Sequence, residues 1–130
     1  MGGDIMQRHL GRLAAAAVLV LAAGAALAAS PRLTWTGYGT TYNGSGENHC
    51  YKYKMHVVVR LLPGKVSGTF QQQGRPLRRF SFPTDADGNF SGVAPVHGGK
   101  LDVKGRATPA GGKISLDGYC TFAGALKPAK

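Results

Sequence analysis

Hydrophobic and polar residues alternate most regularly between residues 50 and 62. The odd positions there hold apolar or aromatic residues and most even positions hold polar ones, with Val58 and Leu62 as exceptions: Tyr51, Tyr53, Met55, Val57, Val59 and Leu61 against Lys52, Lys54, His56 and Arg60. A period of two with β-branched and aromatic residues predicts a strand with one buried face. Because one strand cannot bury its own apolar face, the rest of the chain is expected to fold over it.

Shorter alternating segments, separated by glycine and proline turns, predict more strands and no helix. They cover residues 33–42, 66–72, 80–82, 90–96 and 101–105, and a polar loop occupies 43–48. The segment from Asp85 to Gly88 resembles a calcium loop only weakly. Counting from Asp85, Phe90 and Val96 occupy the sixth and twelfth positions, where such a loop needs glycine and glutamate. A turn in which the aspartates bond their own backbone is the simpler interpretation.

The last segment of the chain admits two interpretations. The pair Asp117-Gly118 is a signal for a two-residue hairpin, which would place Cys120 and Phe122 on the solvent side. A continuous strand instead places every second residue from 114 to 126 inward, and it buries more apolar surface. We therefore favour one long strand, which predicts seven strands in total, with eight as the alternative. Strict alternation then puts Cys50 outward and Cys120 inward, so Cys50 requires a bulge or a loop conformation.

The predicted fold class is all-β: a small antiparallel meander closed as a barrel or folded as a two-layer sandwich, which protects its edges. Glycines at the inward positions 68, 92, 105 and 124 permit strong coiling. With Trp35, Tyr51 and Tyr53 directed inside, the interior is expected to be filled. In outline this resembles the avidin and calycin barrels. The resemblance is one of architecture, because none of their ligand-contacting motifs occurs in the chain.

The N-terminal residues predict export. Arg8 and Arg12 precede an apolar run at 13–23, and residues 26–28 form the small-x-small pattern of a signal peptidase site. A transmembrane anchor would need about 20 apolar residues, and Gly24 interrupts this run. We predict a signal peptide at 1–28 and a single β domain at 29–130. The mature protein is expected to be periplasmic or secreted, with no membrane span.

Cys50 and Cys120 are the two cysteines of the chain. In an oxidising compartment they predict one disulfide, and two free buried thiols are the alternative. The bond would close a loop of 70 residues. In the chain-entropy account such a loop stabilises the fold by roughly 3–4 kcal/mol.

Charge favours acidic partners. The chain has 16 Lys and Arg against 6 Asp and Glu, and removal of residues 1–28 leaves a net charge of +9. Such an excess attracts anionic polymers, anionic lipid head groups or nucleic acid without choosing among them. Arg75, Arg78 and Arg79 cluster around a predicted turn and are the candidate anion-binding residues. The alternative is that the charges form a dispersed solubilising coat.

Catalytic motifs are absent from the sequence. His49, His56 and His97 lack the spacing of a metal site, no Gly-x-Ser-x-Gly occurs, and the acidic residues are isolated. We therefore expect a non-catalytic monomer, without metal or cofactor, that binds an acidic polysaccharide or other anionic polymer. Exposed tyrosines such as Tyr38 or Tyr42 are candidates to assist this binding. No specific recognition of nucleic acid is expected. The alternatives are a calycin-like barrel for a small apolar ligand and an exported protease inhibitor.

Overall fold

The computed structural model describes residues 30–130, and residues Pro31–Lys130 form one compact unit. The unit is all-β, as predicted, and contains nine strands and one turn of 3-10 helix. The elements are β1 (Arg32–Tyr38), β2 (Thr41–Tyr42), the 3-10 turn (Cys50–Lys52), β3 (Lys54–Leu62), β4 (Lys65–Gln72), β5 (Arg78–Pro83), β6 (Asn89–Val96), β7 (Gly99–Thr108), β8 (Gly111–Asp117) and β9 (Cys120–Pro128). The predicted signal peptide lies outside the described residues.

Eight of the strands form a nearly closed antiparallel barrel in the order β5-β4-β3-β1-β9-β8-β7-β6. From β3 to β5 and from β6 to β9, strands that follow each other in the chain are paired, and β1 joins the two groups by pairing with β3 and with β9, where Leu33 pairs with Pro128. The barrel stays open between β5 and β6, which contact each other without ladder hydrogen bonds. There the Phe82 ring lies where a Cβ on Gly92 would be, so glycine permits the close approach of the two edges.

The interior is filled by inward-facing side chains from all eight strands. Leu33, Val57, Val59 and Leu116 are completely buried at its centre. Trp35 is half-buried and packs over the inward backbone of Gly37 and Gly124. A packed interior of this kind supplies the apolar burial that holds a small domain together.

The predicted first strand at 33–42 is two strands. Gly39 separates β1 from β2, and its N–H donates to the Tyr53 carbonyl (3.1 Å), while Thr40 N–H already donates to Thr121 O (2.9 Å). The chain therefore changes partner at this point, from β3 to β9. A Cβ on residue 39 would collide with the Cys50 carbonyl, so glycine is needed for the change.

The predicted second strand starts four residues later than expected. Residues Cys50–Lys52 form the 3-10 turn, in which Cys50 O accepts the Tyr53 N–H (3.0 Å). This is the loop conformation that the alternation required at Cys50, and the residue is buried. The prediction that Tyr51 and Tyr53 face inward is wrong, because the regular alternation begins only at Lys54 and both tyrosines are exposed.

The predicted single final strand is also wrong: β8 ends at Asp117 and β9 begins at Cys120. Asp117 pairs with Thr121, so three residues connect the paired positions instead of the two that the Asp-Gly signal suggested. An odd number of connecting residues keeps the alternation in phase across the hairpin. Phe122 and Cys120 are therefore buried, as the continuous strand had predicted, and the alternative count of eight barrel strands is the correct one.

The predicted disulfide is present. Cys50 and Cys120 are bonded, with their Cα atoms 5.7 Å apart, and both are buried. The bond ties the 3-10 turn that precedes β3 to the start of β9. It therefore links residues 70 positions apart at the same end of the barrel.

Candidate functional site

One end of the barrel opens into a depression of about 900 Å³, which we call the mouth. It lies between the turns that connect β4 to β5, β6 to β7 and β8 to β9. Its floor is apolar and consists of buried core side chains: Met55, Phe70, Leu101 and Phe122. The volume falls within the range of ligand sites, roughly 300–1,000 Å³.

Cationic and aromatic side chains surround this floor. We call this set the rim, and its members are Tyr53, Arg75, Arg78, His97, Lys100 and Tyr119. Among the described residues that line the mouth there is no aspartate or glutamate. Three permanent cations next to an apolar floor attract an anionic group to the mouth. Asp117 directly precedes the lining residue Gly118, and its carboxylate accepts the Thr121 hydroxyl (2.8 Å).

Two features of the β4–β5 turn place its arginines at the mouth. Gly74 adopts a positive φ of 83°, which reverses the chain. Arg75 N–H donates to Gln72 O (2.9 Å), and the Gln71 side chain donates to Arg75 O (3.0 Å). Arg78 pairs with Phe70 in the ladder and is half-buried. The arginines are therefore carried by a hydrogen-bonded turn rather than by a free loop.

The three arginines predicted as a cluster are only partly together. Arg75 and Arg78 line the mouth. Arg79 pairs with Thr69 at an outward position of β5 and is exposed on the outer wall. Successive residues of a strand point to opposite faces, so the neighbours Arg78 and Arg79 cannot serve the same site.

Four rim residues were not identified from the sequence: Tyr53, His97, Lys100 and Tyr119. They belong to three separate turns or strand ends, which only the closure of the barrel brings to one place. A tyrosine directly after an Asp-Gly turn signal was the one local hint, because such a position is normally at the tip of a hairpin.

The disulfide holds the two rim tyrosines in place. Cys50 begins the turn that leads to Tyr53, and Cys120 directly follows Tyr119. Tyr119 is supported further by Tyr42, whose ring centroid lies 4.8 Å away. A side-chain hydrogen bond to Tyr119 also raises the pKa of Tyr42. The Tyr119 ring is 72% exposed, so its outer face is available to a ligand.

A second, shallower depression of about 1,100 Å³ crosses the outer face of β6 to β9. Lys104 and Lys113 line it, together with the carboxylate of Asp85. Asp85 Oδ1 accepts the N–H groups of Asn89 and Asp87, both at 2.9 Å, and Asp85 Oδ2 accepts the Asn89 side-chain amide (3.1 Å). These hydrogen bonds, those of Asn89 above all, lower the pKa of Asp85 below its ordinary 3.8. The segment from Asp85 to Gly88 is therefore a turn in which the aspartate bonds nearby backbone, as predicted. Because a carboxylate opposes the two lysines there, the mouth is the stronger candidate for an anion site.

Charge compensation within the protein is minimal. In residues 30–130 no lysine or arginine pairs with a carboxylate, and the closest such contact is His49 Nε2 to Glu47 Oε2 (3.6 Å). The same segment contains no group of three or more His, Cys, Asp or Glu residues that could hold a metal ion. None of its helices is long and apolar enough to cross a membrane.

Comparison of the chain with protein-family models, curated proteins and solved structures produced no match. A functional assignment therefore depends on the geometry and charge of the mouth.

Proposed function

We propose that the protein is a small exported, non-catalytic binding protein whose mouth holds an anionic polymer of the cell envelope or the extracellular space. The observation that carries this proposal is the composition of the mouth. Arg75, Arg78 and Lys100 line it together, and none of the lining residues within 30–130 is an aspartate or glutamate. Export is supported by the disulfide, because such bonds persist in oxidising compartments.

The chemistry of the rim suits a polymer that carries sulfate, phosphate or carboxylate groups. Arginine presents a planar fork of donors that matches these anions in bidentate geometry. Arg78 is half-buried, so water screens its charge less than that of a fully exposed arginine. Tyr53 and Tyr119 add flat, amphipathic surfaces on which the apolar face of a sugar ring can pack.

A barrel for a small apolar ligand draws less support from the structure. The side chains at the floor of the mouth are 2–7% exposed, and the centre of the barrel below them is filled. An apolar ligand would gain little burial there, because hydrophobic stabilisation scales with the apolar area removed from water. An anionic polymer requires only the rim, which is accessible.

The test compares two double variants with the same loss of charge. Arg75→Gln with Arg78→Gln removes two cations from the mouth, and Arg60→Gln with Arg79→Gln removes two from outward positions on β3 and β5. Binding to heparin and to polyphosphate is titrated at two salt concentrations. The mouth variant should bind more weakly, with a flatter salt dependence by roughly 0.7–0.9 log units per lost contact. Equal affinities of the two variants would refute the mouth as the site.

A further inference from the structure

Exposed hydrophobic side chains are concentrated at the mouth end of the barrel. The described residues include six large hydrophobic side chains that are 37–72% exposed: Tyr38, Tyr51, Tyr53, Leu77, Val93 and Tyr119. Five of the six lie at this end, and Val93 is the exception on the outer wall of β6. Single exposed hydrophobic residues are common on protein surfaces, but a concentration at one place marks an interaction site.

The structure gives the position of each of the five. Tyr53 and Tyr119 belong to the rim, and Leu77 lies between Pro76 and Arg78, which both line the mouth. Tyr38 ends β1 and pairs with Lys54, the residue after Tyr53. Tyr51 lies in the 3-10 turn that the disulfide fastens to Cys120 at the mouth.

Cations accompany these side chains. Lys52 and Lys54 flank Tyr53, and the Lys52 ammonium lies 5.8 Å from the centre of the Tyr51 ring. With the three cations of the mouth, five lysines and arginines surround the exposed hydrophobic residues. The carboxylates close to this end along the chain are Glu47, which lies 3.6 Å from His49 Nε2, and Asp117, which accepts the Thr121 hydroxyl.

The opposite end of the barrel shows that charge alone does not select a surface. Arg32, Lys65, Arg106, Lys113 and Lys127 lie towards that end, against Asp85 and Asp87 in the β5–β6 turn, so that end also carries an excess of cations. None of the six exposed hydrophobic side chains is located there. The mouth end is therefore distinguished by the combination of cations with exposed aromatic and aliphatic groups.

We infer that the mouth end docks on an anionic lipid surface. Tyrosine rings favour the head-group level of a bilayer, where their hydroxyl stays hydrated and their ring does not. Leu77 would reach the acyl boundary, and the cations would neutralise head-group phosphates in and around the mouth. Each lysine or arginine near an anionic surface contributes about 1 kcal/mol, which is about a fivefold gain in partitioning. This inference rests on the proposed function, because it uses the mouth as the anion site.

The experiment measures co-sedimentation of the exported protein with vesicles of phosphatidylcholine alone or with 30% phosphatidylglycerol, as a test composition of roughly physiological surface charge. Intact mass first establishes the N-terminus, because residues 13–23 are apolar themselves. All variants must share that N-terminus. Leu77→Ser is compared with Val93→Ser, since the two side chains are 48% and 52% exposed and differ in location. Tyr51→Ser with Leu77→Ser removes two of the five hydrophobic groups and leaves every charge in place.

Wild type should partition at least tenfold more strongly into the anionic vesicles than into the neutral ones. The double variant Arg75→Gln with Arg78→Gln should partition into the anionic vesicles about 25-fold more weakly than wild type, at a factor of about five per cation. Leu77→Ser should weaken it severalfold, the double hydrophobic variant should weaken it further, and Val93→Ser should have no effect. Equal loss in Leu77→Ser and Val93→Ser, or equal binding to both vesicle types, would overturn the inference. Binding of heparin without binding of vesicles would also overturn it and would leave the proposed function standing.

Discussion

Removal of the disulfide by Cys50→Ala with Cys120→Ala should destabilise the barrel by about 4 kcal/mol. The bond closes a 70-residue loop, and in the chain-entropy account a loop of this length restricts the unfolded chain by about 4 kcal/mol at 25 °C. Alanine leaves the two buried positions apolar, so no orphaned polar group is added. A domain of this size is typically stable by about 5–15 kcal/mol in total. The variant should therefore fold with a much smaller margin.

Urea unfolding followed by Trp35 fluorescence measures the loss. The urea concentration at the midpoint of unfolding should fall. The free energy of unfolding should also depend more steeply on urea if the unfolded chain without the cross-link exposes more surface. Reduced wild-type protein is the control, because it lacks the bond but keeps both sulfur atoms. Its stability should match that of the variant within about 1 kcal/mol, the usual change for removal of a small buried group. If both proteins lost less than roughly 1 kcal/mol of unfolding free energy, the bond would not restrict the unfolded chain as proposed, because an ordinary surface substitution has an effect of that size.

Two further predictions concern stability. Phe122→Ala should cost about 3–5 kcal/mol, because Phe122 is 2% exposed and pairs with the fully buried Leu116; a urea midpoint like that of wild type would contradict its place in the core. Asp85→Asn should lower stability at neutral pH, and this loss should shrink as pH falls below 3.8. The folded-state pKa of Asp85 is lowered, so its contribution is present above the ordinary 3.8 and disappears as pH falls through the folded value; parallel stability curves for the two proteins from pH 7 to pH 2 would exclude this effect.

Most of the strands could be predicted because the alternation of inward and outward residues depends only on local sequence. Met55, Val57 and Val59 face inward as the pattern indicates, and so do Phe80 and Phe90. The pattern was wrong only where the chain leaves the strand. Tyr51 and Tyr53 keep the period of two but precede Lys54, where β3 begins. Periodicity does not show where a strand starts when the residues before it continue the same alternation.

The last hairpin shows how an argument from alternation can be right about burial and wrong about connectivity. A continuous strand and a hairpin with three connecting residues put the same side chains inward, because both preserve the phase of the pattern. The sequence excluded only a hairpin with two connecting residues. Cys120 distinguishes the continuous strand from the hairpin with three connecting residues. Its disulfide bond to Cys50 places it at the mouth end, so the chain must turn just before it.

The candidate site was largely out of reach of the sequence because turns, rather than strands, supply it. Arg75, His97 and Tyr119 lie in three different turns, which line one depression because β1 pairs with β9 and the edge strands β5 and β6 approach each other. A charge cluster in the sequence is a poor guide to such a site: Arg78 and Arg79 are neighbours along the chain and lie on opposite faces of the sheet. The sequence did predict the excess of positive charge. The positions of the turns determine which of these cations lie together at the mouth, beside the exposed tyrosines.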